Sequence, residues 1–228
     1  MPMTPPAAVI VLAAGAGTRM KSQTPKVLHQ VCGRSLVGHV VTTAQTVGAQ
    51  RVVVVLGHAR EQVAEHLAQQ YPDVVTTVQE QQNGTGHAVR TALAQLEQQG
   101  IVLGSGAVVV VSGDSPLLTP ATLTQLIVEH DSARAAVTVL SAVLADPTGY
   151  GRIVRDPAGL VTGIVEHKDA TDEQRAIGEV NSGMYVFDGD YLATGVAGLT
   201  TDNVQGEEYL TDLVGAARDE GRLVAALA

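Results

Sequence analysis

The 228-residue sequence has no tryptophan, one phenylalanine, five tyrosines and one cysteine. Aromatic faces on which unpaired bases could stack are therefore scarce, which argues against a platform for single-stranded nucleic acid. Basic residues are also few: 14 Lys and Arg against 23 Asp and Glu give a formal charge of −9. A general nucleic-acid or anionic-membrane surface needs the opposite balance, so neither is expected as a partner. Any phosphate-bearing ligand must be held by a local gathering of cations and backbone amides. The lone Cys32 leaves no disulfide framework and no thiolate zinc site. It lies in an apolar stretch beside Gly33 and reads as a small buried side chain. No apolar run reaches the roughly 18 residues that would span a bilayer. Met1–Pro6 carries no positive charge and Val9–Ala14 is too short for a signal-peptide core, so the expected location is cytoplasmic. What is present is 45% apolar and 16% charged, a globular composition with enough chain for a sizeable core.

The apolar residues are organised in two ways. Residues 7–13 form a continuous apolar run with β-branched residues, as in a strand buried on both faces, and similar runs recur at Val52–Leu56, Val74–Val78, Ala107–Val111, Val137–Val143 and Ile164–Val165. Between them lie three-and-four patterns: Leu36 to Val47, Val63 to Ala68, Ala88 to Leu96 and Leu123 to Ile127. Alternating strands and helices predict an α/β, Rossmann-like fold with a mostly parallel sheet flanked by helices. After about residue 145, Pro147, Gly149, Gly151, Pro157, Gly159 and Gly163 break the rhythm and predict a small antiparallel lobe. A strand at Ser182–Phe187 and helices near 189–195 and 208–220 complete the reading. No linker or repeat is visible, so residues 1–228 are expected to form one domain.

The first strand runs into Ala14-Gly15-Ala16-Gly17-Thr18-Arg19-Met20-Lys21-Ser22, with Pro25-Lys26 just beyond. Glycines let a backbone approach a ligand closely, and Arg19, Lys21 and Lys26 concentrate positive charge in an otherwise acidic chain. A dinucleotide fingerprint and a Walker A loop each fail at one position, where Met20 stands in place of glycine. A glycine-rich turn bearing solvated cations is the plain alternative. Asp114 follows another apolar strand and is either a hard oxygen ligand for Mg²⁺ or the cap of the helix after Ser115-Pro116. Gln79 and Gln82, beyond a third strand, carry amides that can pair with a pyrimidine edge, without choosing among pyrimidines. Thr85 and Gly86 resemble a helix N-cap. His87 has no metal-binding partner at helical spacing and reads as structural.

The run Leu12 to Met20 followed by Pro25-Lys26-Val27-Leu28 resembles the signature of sugar-1-phosphate nucleotidyltransferases. Six further segments occur in the matching order: Gln82–Ala88, Ser112-Gly113-Asp114, Asp146–Ile153, Ile164–Thr171, Glu179–Gly183 and Glu208–Asp212. Together, from about residue 8 onward, they resemble the uridylyltransferase domain of the bacterial bifunctional enzymes that make UDP-N-acetylglucosamine. The resemblance implies uridylyl transfer from UTP to N-acetylglucosamine 1-phosphate, with release of pyrophosphate, for peptidoglycan precursors. The attacking phosphate is already an anion, so such chemistry needs cations, orientation and a metal-binding carboxylate rather than a general base.

Roles follow from the same resemblance. Arg19 would stabilise the departing pyrophosphate, Lys26 would bridge to the reacting phosphate and Asp114 would hold Mg²⁺. Leu12, Ala13, Ala14 and Gly15 would hold the nucleotide through backbone groups, with Gln79, Gln82, Gly84, Thr85, Ser112 and Gly113 lining its site. Gly151, Glu166, Asn181, Tyr209 and Thr211 would recognise the sugar. Read alone, Glu166 is an ordinary solvated acid and Asn181 an ordinary turn residue.

Ser112 departs from relatives that carry Tyr there. The resemblance also implies a second metal ligand, an Asn beyond Ala228, and a C-terminal left-handed β-helix for acetyl transfer and trimer contact. Without these, impaired turnover and a monomer are the expectation. The alternatives are a nucleotidyltransferase using glucose 1-phosphate with UTP or dTTP, and a non-catalytic nucleotide-sugar-binding module.

Overall fold

The valine-rich run near the start becomes β1 (Ala8–Ala13), an interior strand of the sheet. It pairs in parallel with β4 (Val52–Leu56) on one side and β6 (Ala107–Ser112) on the other. The computed structural model describes residues 4–17 and 20–228. Beyond β4 lies β5 (Val75–Val78), and beyond β6 come β10 (Glu179–Asp188), β7 (Val137–Val143) and β11 (Val224–Leu227). Along this path β10 alone runs against the others.

Successive residues of a strand face opposite sides, so a strand covered twice must be apolar throughout. Ile10, Val53 and Val110 face one core, with α3 (Thr85–Gln98), α6 (Gly189–Ala197) and α7 (Asp212–Asp219). Val9, Val54 and Val109 face the other, beneath α1 (Leu36–Thr46), α2 (Arg60–Gln70) and α4 (Pro120–Ala133). This layering is the α/β arrangement expected from the pattern. No helix among the described residues is long and apolar enough to cross a membrane.

The Gly- and Pro-punctuated stretch forms the antiparallel hairpin β8 (Arg152–Arg155) and β9 (Val161–Val165), joined to the sheet where Arg152 pairs with Val180 of β10. A four-residue helix, α5 (Asp172–Arg175), follows with a complete capping box. β10 slips register between Asn181 and Met184, a bulge with Gly183 at φ +78°. Bulges re-aim side chains, and this one turns the strand at Asn181.

Several details differ from the sequence reading. Cys32 is exposed rather than buried. It occupies the turn between β2 (Gln30–Val31) and β3 (Arg34–Ser35), where Cys32 and Gly33 both have positive φ, +51° and +79°. That is the conformation of a tight hairpin turn, which projects its residues outward. The helix read from 208 begins at Asp212, and β11 was not visible as a separate strand. The helix after Ser115-Pro116 starts at Pro120 and is capped by Thr119, whose side chain accepts from Thr122 N. Asp114 is therefore not its cap.

His130, near the end of α4, is buried, with Nδ1 3.0 Å from the Thr138 hydroxyl. Burial lowers its pKa from near 6.5 to about 4, against a weaker upward pull from Asp188. Between those values the unfolded chain binds more protons, so stability is complete above pH 6.5 and falls as pH drops. The loss should approach about 3 kcal/mol by pH 4. Urea midpoints at pH 7 and 4.5 should fall less in His130→Gln than in the unaltered protein; equal falls would contradict this role.

Candidate active site

From β1 the chain proceeds to β4 and β5, then returns to the other side of β1 as β6. Where strand order reverses in this way, the loops leaving adjacent carboxyl ends diverge and open a crevice. Leu12 lies opposite Ser112 in the register of β1 and β6, so the loops after both strands meet there. Gly113 N donates to Leu12 O at 2.9 Å, and a Cβ on Gly113 would lie 3.1 Å from that oxygen. At the end of β4, a Cβ on Gly57 would lie 2.6 Å from the Ala14 carbonyl oxygen. That carbonyl accepts from His58 N at 3.1 Å and from Gln82 Nε2 at 2.9 Å, tying the first loop to those after β4 and β5.

The cleft so formed has a volume of about 290 Å³. Leu12, Ala13, Ala14 and Gly15 line it from the first loop, with Lys26 and Val27. Gln79, Gln82, Gly84 and Thr85 line it from the β5–α3 loop, and Ser112 and Asp114 from the end of β6. Gly113 supports the floor through its bond to Leu12. Arg19 lies outside the described residues.

Lys26 opens a short 3-10 turn after Pro25, and its ammonium forms an ion pair with the Asp114 carboxylate. Ser112 donates a 2.7 Å hydrogen bond to the other Asp114 oxygen. Partial burial works to raise the Asp114 pKa, but the bonds from Lys26 and Ser112 outweigh it and hold the carboxyl below its usual range. The Lys26 stem passes over Gly17, at φ +60°, where a Cβ would lie 2.6 Å from Lys26 Cβ. Gly17 thus supports the Lys26 stem, a contact that sequence reasoning did not assign, because their closeness is invisible until the loop folds back.

Gln79 is buried, and its Nε2 donates to Gly84 O at 3.0 Å and meets His87 Nδ1 at 3.0 Å. An amide NH₂ only donates, so Nδ1 accepts and the His87 proton is on Nε2, consistent with a structural histidine. Gln79 has its carbonyl oxygen to present to a ligand. Thr85 is not the N-cap of α3, which is Gly84 at φ +103°; its hydroxyl instead accepts from Leu210 N at 3.1 Å. Gly86 N to Glu208 O and Glu208 N to Asn83 O, both 2.8 Å, complete the clasp between the two loops. Through it Glu207 reaches the cleft wall, as does Ala88. Glu207 stands immediately outside the recognisable segment that begins at Glu208.

The five sugar candidates gather beside the cleft rather than in its wall. Asn181 N donates to Gly151 O at 2.9 Å, and Thr211 donates to Glu166 Oε1 at 3.3 Å. The Asn181 amide donates to the buried Tyr185 hydroxyl at 2.7 Å and accepts from Gly183 N at 3.0 Å. Tyr209 donates to Asp169 at 3.3 Å and accepts from Gln205 at 2.7 Å. Burial raises the Glu166 pKa; the Thr211 hydrogen bond opposes it, and the charges of Asp169, Asp212 and Glu207 add to the rise. Segment 207–211 links this cluster to the cleft.

Residues 9–174 match the model of the MobA-like NTP transferase domain. The chain is 59% identical over 221 residues to "Bifunctional protein GlmU" of Thermobifida fusca and 60% identical over 222 residues to that of Streptomyces coelicolor. Each comparison covers 97% of this chain, but 46% and 45% of those relatives, so the chain spans slightly under half their length. Its fold is similar to that of UDP-glucose pyrophosphorylase complexed with UDP-glucose, with a TM-score of 0.74 at 17% identity, covering 96% of this chain and 89% of that one.

The packing of Lys26 on Gly17 yields an expected outcome. Gly17→Ala should push Lys26 away from Asp114, and Lys26→Met should remove the cation outright. In both, the Asp114 carboxyl followed by ¹³C NMR should titrate at higher pH than in the unaltered protein. An unchanged titration in both would mean that the pair does not govern Asp114.

Proposed function

Because the chain belongs to the MobA-like NTP transferase domain family, we propose that it transfers uridylyl from UTP to N-acetylglucosamine 1-phosphate, giving UDP-N-acetylglucosamine and pyrophosphate. The observation that carries this reading is the Lys26–Asp114 pair at the mouth of the β1/β6 crevice. Its support is the high identity to proteins named bifunctional GlmU across nearly the whole of this chain. We read residues 1–228 as one nucleotidyltransferase domain, since one nine-stranded sheet takes in every strand except the β2–β3 hairpin.

Two polyanions must meet, and the acidic background of the chain makes local cations decisive. Lys26 is a compact charge on a stem held against Gly17, suited to neutralising the oxygens of the phosphate under attack. Backbone groups of the Leu12–Gly15 loop would orient the triphosphate, with Arg19 assigned to the leaving pyrophosphate. The base would be read by the Gln79 carbonyl, which can accept from N3–H of uracil or thymine but not from cytosine, whose N3 is itself an acceptor. Sugar hydroxyls and the acetamide would meet Gly151, Glu166, Asn181, Tyr209 and Thr211. Buried polar groups there would be left unpaired by a wrong sugar.

Nucleotidyltransferases of this family use a divalent cation, and we assign Mg²⁺ to Asp114. No group of three or more His, Cys, Asp or Glu side chains gathers as a cage among the described residues. That fits Mg²⁺, which is commonly held by one or two carboxylates and completed by substrate phosphates and water. Bound there, the ion would stabilise charge on the phosphate oxygens.

Pyrophosphate release measured with four nucleoside triphosphates against N-acetylglucosamine 1-phosphate and glucose 1-phosphate tests the substrates; exclusive use of glucose 1-phosphate would overturn the assignment. Lys26→Ala and Asp114→Ala should each lower kcat by about 10²–10³ with unchanged circular dichroism. Near-normal rates in both would refute the assigned roles.

A further inference from the structure

Arg152, the first residue of β8, is 1% exposed. A guanidinium stays charged at any pH proteins experience, so its burial cannot be relieved by losing a proton. No carboxylate among the described residues forms an ion pair with it. It donates instead to the Tyr150 carbonyl, to Arg175 O at 3.3 Å and to His167 Nδ1 at 3.4 Å, while its Nε finds no partner among the described residues. If stability were the sole demand, an apolar side chain of similar length would serve as well or better.

The partners of this cation fall at telling places. Tyr150 immediately precedes Gly151, and His167 immediately follows Glu166. Arg175 Nε donates in turn to His167 O at 3.4 Å, so His167 is held by ring and by backbone. Since a guanidinium only donates, His167 Nδ1 accepts and its proton is on Nε2. Gly151 and Glu166 face one another closely: a Cβ on Gly151 would lie 3.4 Å from both Glu166 carboxylate oxygens and 3.1 Å from Ile164 Cγ2. A displacement of a fraction of an ångström in either segment would alter what fits there. None of Arg152, Tyr150, His167 or Arg175 lines the nucleotide cleft.

We propose that Arg152 is a positioning residue for the sugar 1-phosphate: its buried cation fixes the separation of Gly151 and Glu166 without touching the substrate. This rests on the assignment of those two residues to the sugar site. The consequence is selective, because the segments held by Arg152 face one substrate and not the other.

The test is steady-state kinetics of Arg152→Met and Arg152→Lys with each substrate varied in turn, alongside thermal unfolding. In Arg152→Met, KM for N-acetylglucosamine 1-phosphate should rise about tenfold while KM for UTP stays within about twofold. Arg152→Lys, which keeps a buried donor and the charge, should lie between. An unchanged sugar-phosphate KM in folded Arg152→Met overturns the proposal, whatever happens to the melting temperature. So does a parallel rise in both KM values. If Arg152→Met does not fold, the same criteria apply to Arg152→Lys, with a rise of severalfold expected. Glu166→Gln is the control for the underlying assignment: an unaltered sugar-phosphate KM in that variant removes Glu166 from the site independently of Arg152.

Discussion

The in-register contact between β1 and β6 is the constraint from which the site follows. These strands are about a hundred residues apart in sequence, yet Leu12 lies opposite Ser112. One loop must leave toward α1 and the other toward α4, and neither can cover the crevice between them. Gly57 lets backbone segments approach more closely than a side chain would allow, and Gly113 leaves a Cβ only a tight fit. Lys26 and Asp114 then meet across a gap whose width is set by strand pairing. The precision of the pair is inherited from the most buried part of the sheet, where Val9, Ile10, Val109 and Val110 are fully covered.

Electrostatics works against the global charge. A chain with nine excess negative charges repels a triphosphate at long range, so recognition must be short-range and local. Lys26 is held between Gly17 and Asp114, and Asp114 is kept ionised by its neighbours. The second lobe manages charge in the opposite sense. Glu166 is pushed toward its protonated form by burial and neighbouring acids, while Arg152 is buried with carbonyls and an imidazole in place of a carboxylate. Each lobe thus holds ionised groups in settings that an exposed surface would not provide.

The parts of this protein legible in its sequence are those governed by local periodicity and composition. Val52–Leu56 and Val137–Val143 read as strands because all but Ser141 are apolar or β-branched, and α1 because its valines recur at helical spacing. The candidate cleft was legible because its residues fall at the ends of β1, β5 and β6. What escaped depends on distance along the chain. Nothing around Gly17 says that the Lys26 stem will lie on it, and nothing around Thr85 says that it will bond to Leu210 rather than cap its own helix. Cys32 was misread because an apolar neighbourhood suggests burial, whereas a two-residue turn with positive φ decides exposure. Nothing local to Arg152 marks it for burial; that is a property of three segments, at Tyr150, His167 and Arg175, converging on it.

β10 has a mechanical meaning. The strand bonds to β6 through Tyr185 and Val110 beneath the candidate cleft, and through Val180 to β8 in the smaller lobe. It therefore acts as a girder common to both halves of the site. The two lobes cannot swing apart about a hinge without tearing backbone hydrogen bonds from the middle of a sheet. The clasped segments around 83–86 and 207–210 lie outside that girder, bonded to each other rather than to the sheet. The fold is built less like a jaw than like a bench with a latch.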